Sequence, residues 1–527
     1  MRYSFSMLSG LLMVLSFPYT GSMAFVMFFA WVPLLFVEHT ISNHKYRSSK
    51  VFIHSYITFL IYNIGTTWWI WNASPGGAIF AFTLNALIMA LIFQAFHLTK
   101  KYVGIREGTI ALVIFWLGFE YLHYQWELSW PWLSLGNVFA NYTYLIQWYS
   151  VTGVTGGSLW ILAVNLILFQ LLKNIYIKKL PWRKETKFIS LFFVVSFLPA
   201  IISIIQYLTY QEKGLKTEIV ITQPNVDPYN EKFTGSVIDQ LNKICNLADI
   251  KVSPKTDFVL APETALPFEF YEDEVQRSIY FHHLLERKAE WDGPSLFIGA
   301  STRKYFKERN SRASRKIYGG PGYEEFYNSS MLLDEIDKPT FVHKSKLVLG
   351  VEKVPFSNIF PYLEELSINN GGTSGTLGIE DESQVLKSKG ITFAPAVCYE
   401  SIYGEFIAEQ CKKGAELIFI ITNDGWWGDT PGYKQHMAFA RLRAIENRKA
   451  VARSANTGTS CFINQRGDIL QQSEWWTETS LSETVLRNSD KTFYARFGDY
   501  IGLSSGVAGI FLFLFTVYKM IRRKFSF

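Results

Sequence analysis

The chain has 527 residues, of which 49% are hydrophobic, 17% aromatic and only 18% charged. Such an excess of apolar over charged residues excludes a single soluble domain and indicates membrane-spanning helices. The net charge of +6 lies mostly in short basic clusters beside apolar runs, where anionic lipid headgroups would be, so it predicts a lipid bilayer and no nucleic acid as partner.

Apolar runs predict a helical membrane bundle of about eight spans. A span needs roughly 20 residues, so the first two runs and the sixth are short for one, and one of the first two is a candidate re-entrant segment. The runs lie at about 7–20, 23–38, 51–72, 78–98, 108–124, 158–172, 188–208 and 499–519.

The distribution of Lys and Arg predicts the topology of these spans. Basic residues concentrate at 44–50, 100–106, 173–187 and 519–524, whereas the alternate loops at 20–22, 73–77 and 125–157 contain none. Under the positive-inside rule both termini lie in the cytoplasm and the long segment 209–498 lies outside. Residues 45, 104, 180 and 523 are then inside and residue 300 is outside; chance clustering of basic residues is the alternative.

Three domains follow from this pattern. Residues 1–210 form an N-terminal transmembrane domain of about seven spans, residues 211–498 an extracytoplasmic domain, and residues 499–527 a C-terminal span with a basic tail.

The outer segment has the pattern of an α/β fold. Short, continuous apolar runs are typical of strands covered on both faces, and residues 436–452 have the spacing of a helix with a solvated arginine face. The predicted strands lie at 217–222, 256–260, 295–299, 331–334, 391–397 and 416–422.

Four residues in this segment form a candidate catalytic set. Cys398 ends a predicted buried strand, the position of a nucleophile, and its chemistry requires an activated thiolate. Glu263, between two prolines in an apolar context, is the candidate base; desolvation there predicts that its protonated form is favoured. Lys344 is the candidate cation for thiolate and oxyanion, and Glu352, eight residues later, is placed to hold it. Taken singly, each residue is more often structural.

The order Glu, Lys, Glu, Cys resembles the nitrilase superfamily, and the wider pattern resembles its membrane-embedded branch, the apolipoprotein N-acyltransferase family. Further stretches that are similar to this family are Phe17-Pro18, Trp31-Val-Pro-Leu-Leu35, Asn423-Asp-Gly-Trp-Trp-Gly-Asp429, Gln435-His436, Ala440-Arg-Leu-Arg-Ala-Ile-Glu446 and Ala452-Arg-Ser-Ala-Asn-Thr-Gly458.

This resemblance implies an α-β-β-α sandwich for the outer domain and a ping-pong acyl transfer. Cys398 would take an acyl chain from a phospholipid donor as a thioester and pass it to the N-terminal amine of a diacylglyceryl-modified apolipoprotein. Glu263 would act as base, and Lys344 with the backbone N–H of Tyr399 would bind the oxyanion, supported by Glu352 and Glu400. The implied enzyme is a monomer in the bacterial inner membrane with its catalytic domain in the periplasm.

The chain departs from the family pattern in places. The run after the lysine reads Leu347-Val-Leu-Gly-Val-Glu352 instead of Leu-Val-Pro-Phe-Gly-Glu, and Lys346 is a second possible cation, so the choice of Lys344 rests on its spacing to Glu352. The turn Gln223-Pro-Asn225 replaces a Gln-Gly-Asn, and Lys232-Phe233 replaces a Lys-Trp pair.

The cysteines and glycines predict neither metal nor cofactor. No spacing resembles a zinc site, and no glycine-rich loop suits a phosphate. Cys398 must stay reduced to react, so at most one disulfide can form among Cys245, Cys411 and Cys461.

Two other functions remain open from the sequence. One is a membrane-tethered nitrilase-type amidase acting on a small periplasmic substrate, and the other is a non-catalytic membrane scaffold. An acyl-thioester that waits for an amine would separate the transferase from the amidase. The filled catalytic positions, and the lack of charge clusters within the spans, disfavour the scaffold.

Overall fold

The chain divides into two compact units, seen in a computed structural model that describes residues 1–44, 46–334, 338–357 and 375–525. The first unit comprises residues 1–71, 75–210 and 497–527, and the second comprises residues 72–74 and 211–496. Lys45, in the first basic segment, lies outside the described residues.

The first unit is helical and the second combines helices with strands. The helices in chain order are α1 (Arg2–Ser16), α2 (Met27–Ala30), α3 (Val32–Asn43), α4 (Ser49–Thr67), α5 (Ile70–Ala73), α6 (Pro75–Tyr102), α7 (Ile105–Gln125), α8 (Tyr149–Leu172), α9 (Thr186–Thr209), α10 (Val237–Asp249), α11 (Ile279–Ala289), α12 (Gly404–Lys412), α13 (Pro431–Asn447), α14 (Phe493–Phe497) and α15 (Tyr500–Phe525).

Five helical segments of the first unit are long and apolar enough to cross a membrane. They are Ala24–Asn43, Pro75–Tyr102, Tyr149–Ile177, Thr186–Thr209 and Tyr500–Phe525. In the segments of α9 and α15 only 11% and 17% of the apolar window is buried inside the protein. Exposing so much apolar surface to water would be unfavourable in free energy, which indicates that lipid covers it.

Three of the predicted runs form helices that are too short or not apolar enough to meet these limits of length and apolar character. Helix α1 has 15 residues and rises about 22 Å, less than the roughly 30 Å hydrocarbon core of a bilayer. Helices α4 and α7 carry polar side chains that are buried inside the unit, among them Asn63 and Glu120. The helix of the sixth run, which belongs to the five, is longer than predicted: α8 begins at Tyr149 and not near residue 158. The structure therefore supports five spans, and the count of eight stays a prediction.

The second unit contains two sheets. Its strands are β1 (Leu215–Gln223), β2 (Thr256–Leu260), β3 (Leu266–Tyr271), β4 (Ser295–Phe306), β5 (Arg315–Lys316), β6 (Tyr323–Leu333), β7 (Thr340–His343), β8 (Leu386–Ser388), β9 (Ile391–Val397), β10 (Leu417–Thr422), β11 (Ala450–Ala455), β12 (Cys461–Ile463), β13 (Ile469–Gln472) and β14 (Thr479–Arg487). Each of the six predicted strands is present.

The central strands of each sheet are covered on both faces. The first sheet runs β14-β1-β2-β4-β6-β5, with β3 paired to β4 and β7 paired to β6; the second runs β13-β12-β11-β10-β9-β8. In β1, Ile219 and Ile221 pack between the sheets against Phe393 and Phe419, whereas Val220 packs with residues of α10 and α11 on the other face. The continuous apolar strands thus build an α-β-β-α sandwich, completed by α12 and α13 on the second sheet.

Helix α13 differs from its prediction in three ways, the first being that it begins at Pro431 and not at residue 436. It ends at Asn447, and the predicted last turn is the start of β11, which pairs with β10. Its Arg443 is not solvated: the side chain is 1% exposed, donates to the carbonyl of Ile402 and pairs with Glu446. Helical spacing alone did not reveal this because a paired guanidinium can be buried on either face.

Candidate active site

The predicted catalytic residues follow the ends of strands in the second unit. Glu263 follows β2 of the first sheet, Lys344 follows β7, and Cys398 follows β9 of the second sheet. The neighbouring strand β10 ends at Thr422, and the backbone N–H of Asn423 donates to Glu263 at 3.0 Å. The facing sheets therefore bring together residues that lie up to 160 positions apart.

A glycine lets the Glu263 turn approach the sheet. The backbone N–H of Gly299 in β4 donates to the carbonyl of Pro262 at 3.1 Å. A Cβ at position 299 would lie 2.6 Å from the Cα of Glu263 and 2.5 Å from the nitrogen of Thr264. Any larger residue would push away the turn that carries the candidate base, so this strand position requires glycine.

Lys344 lies between two carboxylates. Its Nζ is 3.2 Å from Glu263 Oε1 and 3.0 Å from Glu352 Oε1, and the side chain is 1% exposed. Asn328 links the same two oxygens, because its Nδ2 donates to each at 2.8 Å. By contrast, Lys346 lies over the ring of Tyr403 at 5.6 Å. The structure thus joins Glu263, Lys344 and Glu352 in one network, from which Lys346 is separate.

Cys398 sits in a strained turn. Its φ is +51°, in the left-handed region that residues other than glycine rarely occupy. A short 3-10 turn over residues 398–402 follows at once. The carbonyl of Cys398 accepts from Ser401 Oγ at 2.8 Å and lies 3.1 Å from His436 Nε2. These contacts stabilise a conformation that presents the thiol at the end of β9.

Glu400 ties the cysteine turn to the lysine segment. Its Oε2 accepts from the N–H of Val397, and its Oε1 accepts from the N–H of Ser345 at 2.6 Å and of Lys346 at 3.4 Å. Burial raises the pKa of Glu400 to about 7, although these donors and the charge of Lys344 act against the rise. Tyr399, between Cys398 and Glu400, packs edge-on against Tyr403 with centroids 5.3 Å apart.

The charge state of the site differs from the expected one. Burial would raise the pKa of Glu263, as predicted, but Lys344, Asn328 and Lys232 outweigh it and the pKa is lowered. Burial also raises the pKa of the Cys398 thiol; the charge of Glu263 adds to the rise and that of Lys344 opposes it. The resting site therefore holds a carboxylate and a protonated thiol, not an activated thiolate. The prediction was wrong because it considered the burial of Glu263 without its cations.

Three contacts of Glu263 were not predicted. They come from Asn328, from the backbone of Asn423, and from Lys232, whose Nζ donates to the carbonyl of Glu263 at 2.9 Å. Burial lowers the pKa of Lys232 to about 8 against the opposing charge of Glu263. A polar Asn-Ser-Ser run inside β6, a buried strand, was a usable signal for Asn328. The usable signal for Lys232 was the Lys-Trp pair of the resembling family, of which this chain keeps the lysine.

A second buried network lies under the cysteine turn. Asp424, His436 and Arg453 are each fully buried; Asp424 contacts His436 Nδ1 at 2.9 Å and Arg453 Nη2 at 2.5 Å. Ligand atoms of Cys398, Asp424 and His436 lie within 4.8 Å of one another, a spacing that metal ligands also have. The guanidinium of Arg453 already supplies the positive charge there and holds the pKa of Asp424 well below its usual range, against the effect of burial. We therefore assign these groups to support of the turn.

The remaining cysteines lie in the core. Cys245, Cys411 and Cys461 are free and at most 1% exposed, whereas Cys398 is 9% exposed. The one disulfide that the sequence allowed is not formed among these residues.

Comparison with known proteins matches both units. Residues 9–167 match the family described as apolipoprotein N-acyltransferase N-terminal domain, and residues 229–490 match the family described as carbon-nitrogen hydrolase. The chain is 29% identical over 523 residues to an apolipoprotein N-acyltransferase of Chlorobaculum tepidum, covering 97% of this chain and 96% of that protein. Proteins of the same name are similar in Geobacter metallireducens (26% identity; 94% and 92%) and Pasteurella multocida (27%; 80% and 78%).

The charges at the site predict how Cys398 reacts with a small alkylating agent. Because burial and Glu263 raise the pKa of the thiol, the pH at which iodoacetamide alkylation reaches half its maximum rate should lie above the ordinary cysteine value. Glu263→Gln should lower that pH by about one unit or more, since a nearby like charge is removed. Glu409→Gln, an exposed change on α12, is the matched control. An unchanged profile in Glu263→Gln would show that the carboxylate does not act on the thiol.

Proposed function

Because the chain belongs to the apolipoprotein N-acyltransferase family, we propose that it transfers a fatty acyl chain from a membrane phospholipid to the N-terminal amine of a lipid-modified apolipoprotein cysteine. The observation that carries the proposal is the buried set Glu263, Lys344 and Cys398 in a chain whose other unit is built of apolar helices. Both substrates carry acyl chains, which explains why a cysteine site of this kind is joined to a membrane unit.

In the first half-reaction the thiol becomes an acyl-thioester. The sulfur of Cys398 attacks the ester carbonyl of the phospholipid while Glu263, ionised at rest, accepts the thiol proton. The C–O bond of the ester then breaks, and the lysophospholipid leaves with the proton from Glu263. Since the thiol is neutral before substrate arrives, proton transfer accompanies the attack.

In the second half-reaction an amine replaces the sulfur. The α-amine of the apolipoprotein attacks the thioester carbonyl, Glu263 accepts a proton from nitrogen, and the C–S bond breaks. The proton returns to sulfur, which restores the thiol of Cys398, and the product is an amide. The ammonium of Lys344 and the backbone N–H of Tyr399 stabilise the oxyanion in both halves.

Glu352 and Glu400 act by positioning. Glu352 binds Lys344 at 3.0 Å and accepts from the N–H of Val348 at 2.8 Å, which fixes the carboxylate. Glu400 joins the backbone of the cysteine turn to that of the lysine segment. Loss of either contact would displace a reacting group, and displacements of about 1 Å can cost a hundredfold in rate.

We extend the proposal to location and architecture. The enzyme is a monomer of the bacterial inner membrane with about eight spans, made of residues 1–210 and 499–527, and residues 211–498 form the periplasmic catalytic domain. The alternation of basic loops with loops that contain no Lys or Arg supports this topology. Helices α1, α4 and α7 would be the spans beyond the five apolar ones.

The central test is capture of the acyl-enzyme. Full-length protein incubated with phospholipid vesicles should gain the mass of one acyl chain on Cys398, and the adduct should persist until a diacylglyceryl-peptide is added. Cys398→Ala should abolish the adduct and turnover, whereas Cys411→Ala, at a buried cysteine elsewhere in the core, should retain both. Rapid release of free fatty acid without the peptide would favour the amidase, and full turnover in Cys398→Ala would exclude this nucleophile.

Lys344 and Lys346 form a matched pair of equal charge two residues apart. Lys344→Ala should slow thioester formation a hundredfold or more, because an ammonium aimed at the oxyanion contributes on the order of 3 kcal/mol. Lys346→Ala removes a charge that lies over Tyr403 and should cost about 0.5 kcal/mol. Single-turnover acyl-enzyme formation is measured, with thermal unfolding as a check that both variants fold. Equal losses would contradict the assignment of Lys344.

The topology predicts opposite labelling of exposed positions. Cysteines placed at Arg106, Arg183 and Arg523 should react with a membrane-impermeant maleimide only after permeabilisation, whereas one at Tyr318 should react in intact cells. All four side chains are solvent-exposed, so accessibility within the fold does not limit the reaction. Labelling of position 183 in intact cells would overturn the proposed orientation.

A further inference from the structure

One end of the first unit contains a large cavity. Its volume is about 1330 Å³, and residues near the ends of α3, α6, α8 and α15 line it. These ends belong to the four basic segments of the sequence, which are separated by dozens to hundreds of residues. The fold therefore gathers the basic segments around one space.

The buried carboxylate that lines the cavity is neutralised by neighbouring groups of the protein. Glu38 is 1% exposed, and its carboxylate contacts Lys100 Nζ at 2.5 Å, His97 Nδ1 at 2.8 Å and Ser42 Oγ at 2.7 Å. His97 also lies 3.2 Å from Ser48 Oγ. The only carboxylate that lines the cavity within the described ranges is thus already paired, and it does not repel an anion.

Four further cations line the same cavity. Lys101, Lys173, Arg523 and Lys524 have no carboxylate within salt-bridge distance in the part of the chain that the structure describes. Lys101 donates to Ser48 Oγ at 3.0 Å, and Arg523 lies 3.5 Å from the carbonyl of Lys101, so both side chains keep further donors. The cavity therefore carries an excess of positive charge.

Much of the remaining lining is apolar and includes Leu35, Phe96, Leu166, Ile167, Phe169 and Phe188. The polar side chains of His39, Asn43, Tyr46, Thr109 and Gln170 also line the cavity. A free inorganic anion would leave this surface unused, and the ammonium of a zwitterionic headgroup would meet four cations. A negatively charged head on an apolar tail matches both parts of the cavity.

We propose that this cavity binds an anionic phospholipid, with its phosphate among Lys101, Lys173 and Arg523 and its acyl chain along the apolar lining. The site lies wholly in the first unit, whereas Cys398 lies in the second. It is therefore a lipid site additional to the acyl-donor site of the proposed reaction, and it does not depend on that reaction.

The test is a lipid titration of the delipidated, full-length protein in detergent, read by native mass spectrometry. Dioleoyl phosphatidylglycerol should bind at least tenfold more tightly than dioleoyl phosphatidylcholine. Lys101→Gln with Lys173→Gln should weaken phosphatidylglycerol binding on the order of tenfold, as expected for two cations at a lipid phosphate. The pair Arg523→Gln and Lys524→Gln removes the two cations of α15 that line the cavity and should weaken binding to a similar extent.

Arg106→Gln with Lys184→Gln is the control, because both residues are exposed in the same basic segments but do not line the cavity. Equal affinity for the two lipids, or equal loss in the control variant, would overturn the proposal. Displacement of phosphatidylglycerol by millimolar inorganic phosphate would also overturn it, because the ligand would then be a free anion. Acyl-enzyme formation in the cavity variants should be retained, which separates this site from the catalytic one.

Discussion

The catalytic unit depends on the ion pairs that the buried ammonium of Lys344 makes with two carboxylates. A charge that is 1% exposed costs several kcal/mol unless it is compensated, and here two carboxylates compensate it. The negative charge that two carboxylates around one cation leave over is offset by the nearby Lys232. Asn328 and the N–H groups of Asn423 and Val348 stabilise the carboxylates further by donating hydrogen bonds. The lysine thus binds Glu263 and Glu352, and Glu263 in turn accepts from the backbone of Asn423, which follows β10 of the second sheet, so the position of each group depends on the others.

This arrangement also determines the resting state of the nucleophile. The carboxylate of Glu263 stays ionised because its cations outweigh its burial, while the thiol of Cys398 stays protonated because burial and the carboxylate act in the same direction. A protonated, nearly buried thiol is oxidised slowly, since the thiolate is the reactive form. The site therefore combines an ionised base with a protonated, protected nucleophile. The remaining component of the reaction is an acyl ester, whose binding would displace water from the site.

The membrane unit also contains charged groups that are buried in apolar surroundings. Its helices leave apolar surface for lipid, yet Glu38, His97 and Lys100 are buried together and satisfy one another. The cations beside them, at the ends of α6, α8 and α15, lack such partners among the described residues. Buried groups are paired within the protein, whereas these peripheral cations are left for the phosphate of a lipid.

The sequence by itself determined the parts of this protein that depend on local pattern. Apolar runs and basic loops identified the helices of the membrane unit. Continuous apolar strands followed by Glu263 and Cys398, with the eight-residue spacing from Lys344 to Glu352, identified the candidate site, because these signals are local in sequence. Spacing also separated Lys344 from Lys346, which the structure places in different surroundings. Tertiary structure decided the ionisation of Glu263, the role of Asn328 and the convergence of the basic segments. The physical reason is that a pKa or an electrostatic field sums contributions from groups that are close in space; Asn328 and Lys344 lie 65 and 81 residues from Glu263 along the chain.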